Sequence, residues 1–162
     1  MPHIYRHESV IANTAWLLEI AAELGIPVLV SEQYPKGLGP TVSMLRDLVP
    51  PEAFMEKTHF SCADAPECRD RLRTVHRKQI VLAGIEAHVC VLQTAIGLVQ
   101  AGKEVYVVAN AVSSRQTDDV DLALQRMRGA GVQIVSREMV AFEWLHQAGT
   151  PRFKDISKRF LR

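Results

Sequence analysis

An imbalance of charge is the first thing this sequence lacks. Nineteen Lys and Arg stand against 18 Asp and Glu over 162 residues, a formal charge of +1. Such a chain has no broad cationic surface to neutralise phosphates and no acidic tail to recruit basic partners, so nucleic acid is not expected as a partner. Long hydrophobic runs are missing too. The most apolar stretches, residues 26–30, 80–83 and 105–109, reach about five residues each against the ~20 a membrane helix needs, so no membrane partner is expected. The opening Met1-Pro2-His3-Ile4-Tyr5-Arg6-His7 carries no cationic stretch leading into an apolar run and a small-residue cleavage site. No secretory leader is expected, and a reducing, cytoplasmic setting is. Cysteine is scarce: Cys62, Cys68 and Cys90 are an odd number, which in such a setting points to thiols, at least one of them free.

What is present is a repeated phrase of amphipathic helix, glycine and β-branched run. It occurs three times: residues 10–24, Gly25, then 26–30; residues 90–100, Ala101-Gly102, then 104–109; and residues 118–128, 129–131, then 132–135. In the first copy Ile11, Ala15, Leu18 and Ala22 share one helix face, and the glycine sits where a helix closes in a left-handed residue. Two further strand candidates, residues 53–57 and 79–83, flank a helix over 65–75. Five short strands alternating with helices predict an α/β protein with an open parallel sheet covered on both faces, a Rossmann-like arrangement within one domain spanning 1–162. Ligands in such folds bind beyond the carboxyl ends of the strands.

Those ends carry the candidates. Cys90 follows the 79–83 strand by a few residues and opens the next helix, where free backbone N–H groups and the positive helix end favour a thiolate. A thiolate there is a nucleophile, the competing reading being an inert buried cysteine. Lys57 closes its strand and points toward the same crevice, able to steady a thiolate or an oxyanion, unless it is simply a solvated strand-end lysine.

The segment Gly84-Ile85-Glu86-Ala87-His88-Val89-Cys90-Val91 resembles the nucleophile motif of the isochorismatase-like cysteine hydrolases. The run from Ser31-Glu32-Gln33-Tyr34 through Pro40-Thr41 resembles a loop of the isochorismatase domain-containing branch. Lys57-Thr58-His59-Phe60-Ser61 is similar to the family's lysine motif, and residues 110–115 to the segment after the next strand. The resemblance covers nearly all of the chain. It implies a three-layer α/β/α sandwich in which Cys90 attacks a carbonyl carbon to form a thioester and Lys57 is its electrostatic partner. The backbone N–H groups of Glu86 and Cys90 would form the oxyanion hole, with a cis peptide at Ile85-Glu86. Substrate would be a small amide or ester, since isochorismatases proper cleave a vinyl ether without the cysteine.

One part of the family pattern has no match. The family's aspartate lies on a central strand before the first helix, in a phrase ending Asp-x-Gln, whereas the first aspartate here is Asp47. Absence of that strand from residues 1–162 would leave the 26–30 and 79–83 strands without their shared neighbour, with exposed edges. An upstream start, a fragment of a longer protein, or another strand filling the gap are the three expectations. Glu32, at a neighbouring strand end, is the carboxylate nominated to replace the aspartate; its plainer reading is a loop-shaping or substrate-facing residue.

The remaining signals are weaker. Tyr34, Phe60 and His88 are candidate pocket residues, and residues 36–41 read as a lid. His59, Cys62 and Cys68 lack the paired spacing of zinc sites, so no metal and no cofactor are expected. Basic residues at 69–78 and 154–162 are interspersed with acids and read as solvated helix faces. The apolar helix around 141–145 suggests a homo-oligomer. A non-catalytic oligomeric family member, serving as a ligand- or protein-binding module, is the competing expectation. A flavodoxin-type nucleotide site is a third, and it would need a phosphate cradle after a first strand that this sequence does not contain.

Overall fold

A computed structural model of the chain describes residues 3–161. The helix-glycine-strand phrase folds as its spacing predicts. Helix α1 (His7–Leu24) ends on Gly25 at φ 65°, and the N–H groups of Gly25 and Ile26 return to the Ala22 and Ala21 carbonyls. That closure needs a left-handed residue, which glycine supplies without strain.

Strand β1 (Val30–Gln33) begins where the sequence predicted it to end. Its ladder partner β2 (Phe54–Lys57) pairs Val30 with Phe54 and Gln33 with Lys57, and Pro27 has no N–H to extend the ladder backwards. Residues 31–33, expected to lie beyond the strand, are therefore inside it. The short helices α2 (Pro35–Leu38) and α3 (Ser43–Arg46) separate β1 from β2. Helix α4 (Pro66–Thr74) leads to β3 (Gln79–Ile85), which a π-helical turn, Ala87–Val91, joins to α5 (Leu92–Gln100). Strand β4 (Glu104–Ser113), helix α6 (Thr117–Gly129), strand β5 (Gln133–Val135), and helices α7 (Arg137–Leu145) and α8 (Pro151–Phe160) complete the chain.

Every ladder is parallel, but the strands form two groups, β1-β2 and β3-β4-β5. Among the described residues no ladder joins β1 to β3. Strand β4 alternates faces with period two. Val105 and Val107 meet Leu92, Ala95 and Leu98 of α5 and Ala123 and Met127 of α6. Val108 and Ala111 meet Leu17 of α1 and Val140 of α7 on the other face. Those are the three layers. Between Leu82 and Gly84 of β3 the register jumps from Val107 to Val112, so β4 bulges there. The bulge is held by Asn110, whose side chain accepts the Arg137 N–H at 3.0 Å and whose carbonyl accepts the Asn13 amide.

The apolar stretch 141–145, expected to form a subunit contact, is covered within the chain only in part: Ala141 is buried, whereas Phe142 is 48% exposed. Ala141 packs with Ile20 of α1 and Ile156 of α8, alongside Trp16 and Trp144. The Trp16 indole N–H donates to the Phe160 carbonyl at 2.8 Å. The basic residues Arg69, Arg73, Arg77 and Lys78 are exposed, as solvated faces should be. No helix among the described residues is long and apolar enough to cross a membrane.

Candidate active site

The site is assembled from the ends of three strands. Cys90 sits in the π-helical turn directly after β3. The Glu86 carbonyl closes this turn by accepting the N–H groups of Val89 and Val91, both at 3.2 Å. The Ile85-Glu86 peptide is cis, as the family resemblance implied, and Gly84 before it adopts φ +121°, a conformation that excludes a larger residue.

Lys57 ends β2 and is 5% exposed, not a solvated strand-end lysine. Its ammonium donates to three oxygens: Gln33 Oε1 at 2.5 Å, the Phe60 carbonyl at 2.9 Å and the His59 carbonyl at 3.0 Å. That uses all three N–H bonds of the group. The loop supplying the two carbonyls is docked on α5: the Cys62 N–H donates to Thr94 Oγ1 at 2.9 Å and Ser61 Oγ to the Gln93 carbonyl at 3.4 Å. A Cβ on Gly97 would come within 2.7 Å of Ala63 Cβ, so loop and helix touch closely there. This docking carries Lys57 of one strand group to Cys90 of the other. The Cys90 thiol donates to Gln33 Oε1 at 3.8 Å, a weak sulfur bond.

The electrostatics differ from the expected pre-formed thiolate. Burial pushes the Cys90 thiol above its ordinary value, the nearby Lys57 ammonium pulls it down, and Cys62 and Glu86 push it up again, with a net upward shift. Removing the sulfur from water disfavours its charged form by more than one lysine returns. Cys62 packs against Cys68 in a small apolar cluster with Met55 and Ala65. Burial first, and Cys62 second, push the Cys68 thiol up to about 12. All three cysteines are free thiols.

Of the other candidates, Glu32 turns away from the nucleophile. Its buried carboxylate accepts the Thr41 N–H at 2.7 Å and the Arg46 guanidinium at 3.2 Å. Burial alone would raise it, but the Thr41 and Arg46 bonds hold it below its usual value. Glu32 thus pins the 34–41 loop, the plainer of its two readings. Tyr34 and Phe60 are 53% and 52% exposed, so neither is a buried aromatic wall; the Tyr34 ring lies over Gly37, where a Cβ would be 2.2 Å from it. His88 is tied elsewhere: its Nδ1 lies 2.8 Å from Ser114 Oγ and its Nε2 lies 3.8 Å from an Asp119 carboxylate oxygen. The Glu86 side chain pairs with Arg115 at 2.9 Å. A cleft of about 280 Å³ opens beside Lys57, lined by Tyr34, Lys36, Glu56, Thr58 and Glu67 among others. Among the described residues no group of three or more His, Cys, Asp or Glu is placed to hold a metal ion.

Gln33 is the residue that sequence reasoning passed over. In the sequence it stands inside a loop motif, and only the β1-β2 register, which sets it opposite Lys57, brings it to the site.

Comparison with known proteins gives the family and the fold. The model of the isochorismatase domain matches residues 2–139. Isochorismatase domain-containing protein 2 of Danio rerio is 40% identical over 97% of this chain and 79% of its own length. A solved structure described as the MAR1 ribonuclease from Caenorhabditis elegans superposes with a TM-score of 0.90 at 37% identity, covering 99% of this chain and 83% of that one. The YcaC gene product from Escherichia coli, described as an octameric hydrolase of unknown specificity, shares the fold at a TM-score of 0.84 and 21% identity. That match covers 95% of this chain and 78% of the other.

Proposed function

The chain belongs to the isochorismatase family, and from that premise we propose that it is a metal-independent cysteine hydrolase acting on a small amide or ester. The observation that carries the reading is the meeting of Lys57 and Cys90 through Gln33 Oε1 at the ends of strands from separate ladders. Cys90 Sγ gives its proton to solvent hydroxide, and the resulting thiolate attacks the substrate carbonyl carbon. The oxyanion of the tetrahedral intermediate is received by the N–H groups of Glu86 and Cys90, donors that act where charge develops. Collapse breaks the carbon–nitrogen or carbon–oxygen bond. The amine or alcohol departs with a proton taken from solvent water, and a second water then attacks the thioester, releasing the acid and returning a proton to the Cys90 sulfur.

Lys57 serves as a fixed positive charge that lowers the cost of the thiolate. Because burial leaves the Cys90 thiol above its ordinary value, the thiolate fraction grows as pH rises through that raised value. Activity is therefore expected to climb on the alkaline side. The near-balanced charge gives no support to a polyanionic substrate. The octameric relative supports reading this chain as a homo-oligomer. A second reading, a ligand- or protein-binding module without catalysis, is favoured by that same upward shift, which disfavours the nucleophile at neutral pH.

The test is iodoacetamide labelling of the native protein from pH 6 to 10, mapped to the individual cysteines, for wild type and Lys57→Met. The hydrolase reading expects Cys90 to label in the folded state and Lys57→Met to slow it about tenfold at pH 8, one unit of apparent pKa. Labelling that is indifferent to Lys57, or that appears only on unfolding, would replace it with the binding-module reading.

A further inference from the structure

We propose that Gln33 is a positioning residue that holds the Lys57 ammonium at its working place beside Cys90. The proposal rests on the hydrolase reading above and deepens it. Gln33 and Lys57 are register partners at the last position of the β1-β2 ladder, so their side chains leave the same face of the sheet. The Gln33 amide is fixed at both ends. Its Nε2 donates to the Thr58 carbonyl at 2.7 Å, and its Oε1 accepts from Lys57 Nζ at 2.5 Å and from Cys90 Sγ at 3.8 Å. The opposite amide orientation would set an NH₂ group against the ammonium and an oxygen against the Thr58 carbonyl, so only one orientation satisfies the network.

Three consequences follow from this arrangement. The ammonium keeps a complete set of oxygen acceptors in a site where burial would otherwise disfavour its charge. Its three N–H bonds all go to oxygens, so it acts on the sulfur through its charge, held in place because two of its acceptors belong to one loop and the third bridges to Cys90. Finally, the bridging atom is a neutral amide oxygen, which attracts the lysine yet adds no negative charge against the thiolate. A carboxylate in its place would do both. Gln33 is not a proton acceptor in this scheme, since an amide oxygen is not basic in the working range.

The test is a pair of substitutions read by the pH dependence of Cys90 alkylation, with thermal melts confirming that each variant is folded. Gln33→Leu removes the acceptor and is expected to slow labelling about threefold at pH 8. In a Lys57→Met background the same substitution is expected to change nothing further, because its effect runs through the lysine. Gln33→Glu, nearly identical in shape, keeps the lysine bound but sets a negative charge beside the sulfur. It is expected to move the apparent pKa up by about one unit, a tenfold slower reaction at pH 8, and it carries the test if the leucine variant fails to fold.

An equal effect of Gln33→Leu with and without Lys57 would overturn the proposal, as would wild-type profiles for both Gln33 variants. If Lys57→Met shifts the profile while the Gln33 variants do not, the positioning role falls and the hydrolase reading stands. If Lys57→Met shifts nothing, both fall together.

Discussion

In the β3-β4-β5 group, β4 has helices on both faces, and Val105, Val107 and Val108 are no more than 1% exposed. In the β1-β2 group the apolar cluster consists of Met55, Ala65 and Cys68, with Leu29 and Cys62 alongside. The first group carries the nucleophile turn, and the second carries Lys57. The two are coupled at the site chiefly by polar contacts and one close approach: Cys62 to Thr94, Ser61 to Gln93, and Ala63 against Gly97. The lesson is that the position of Cys90 depends on core packing, whereas the charge facing it depends on how a small loop docks against α5. Stability and electrostatics are separable in this molecule, and substitutions can be chosen to move one or the other.

The largest expected effect is on the β3-β4-β5 group. Met127, fully buried in the cluster of α5, α6 and β4, should cost about 3–5 kcal/mol when changed to alanine, measured by denaturant unfolding. The same change at Met55, 8% exposed in the smaller cluster, should cost about 2 kcal/mol. Equal losses would erase the contrast between the groups. Gly97→Ala comes next. Its Cβ would need room now held by Ala63, with an expected cost of about 1–3 kcal/mol. It should also slow Cys90 alkylation by moving the Lys57 loop, which neither methionine variant should do while folded. Thr94→Val leaves the Cys62 N–H without its acceptor, an expected loss of about 1 kcal/mol with a smaller change in labelling.

The smallest effect at neutral pH concerns Cys68. Its folded thiol is pushed up to about 12, while an unfolded thiol ionises near about 8.5. Below that value both states hold the proton and pH has no leverage. Between the two values the unfolded state loses the proton and the folded state keeps it, so stability falls as pH rises. Cys68→Ala should flatten this alkaline slope in thermal melts taken from pH 8 upward.

Much of this was legible in the sequence because it depends on local pattern. Gly25 announced a helix end, the β-branched runs announced parallel strands, and the segment from Gly84 to Val91 placed the cysteine at a strand-to-helix turn. What local pattern could not convey was set by partners distant in the chain. The start of β1 is decided by where β2 begins, 24 residues beyond Val30 in the Val30–Phe54 pairing. Helix α8, whose basic residues mark only a solvated face in the sequence, covers Ala141 through Ile156, while Phe142 of the same apolar stretch stays 48% exposed. The direction of the Cys90 shift is decided by burial, which a helix-terminus argument does not weigh. Gln33 matters only because Lys57, Thr58 and Cys90 all reach its amide.

The central claim is a thioester on Cys90, and trapping it tests the claim most directly. The protein would be mixed with a panel of small amides and activated esters at pH 8, quenched in acid within milliseconds to seconds, and weighed intact with the site mapped by peptide mass spectrometry. The account predicts an acyl adduct on Cys90 that forms and decays with turnover, persists in neither Cys90→Ala nor the unfolded chain, and is unaffected by a chelator. Hydrolysis that continues in Cys90→Ala, or an adduct confined to Cys62, would contradict it.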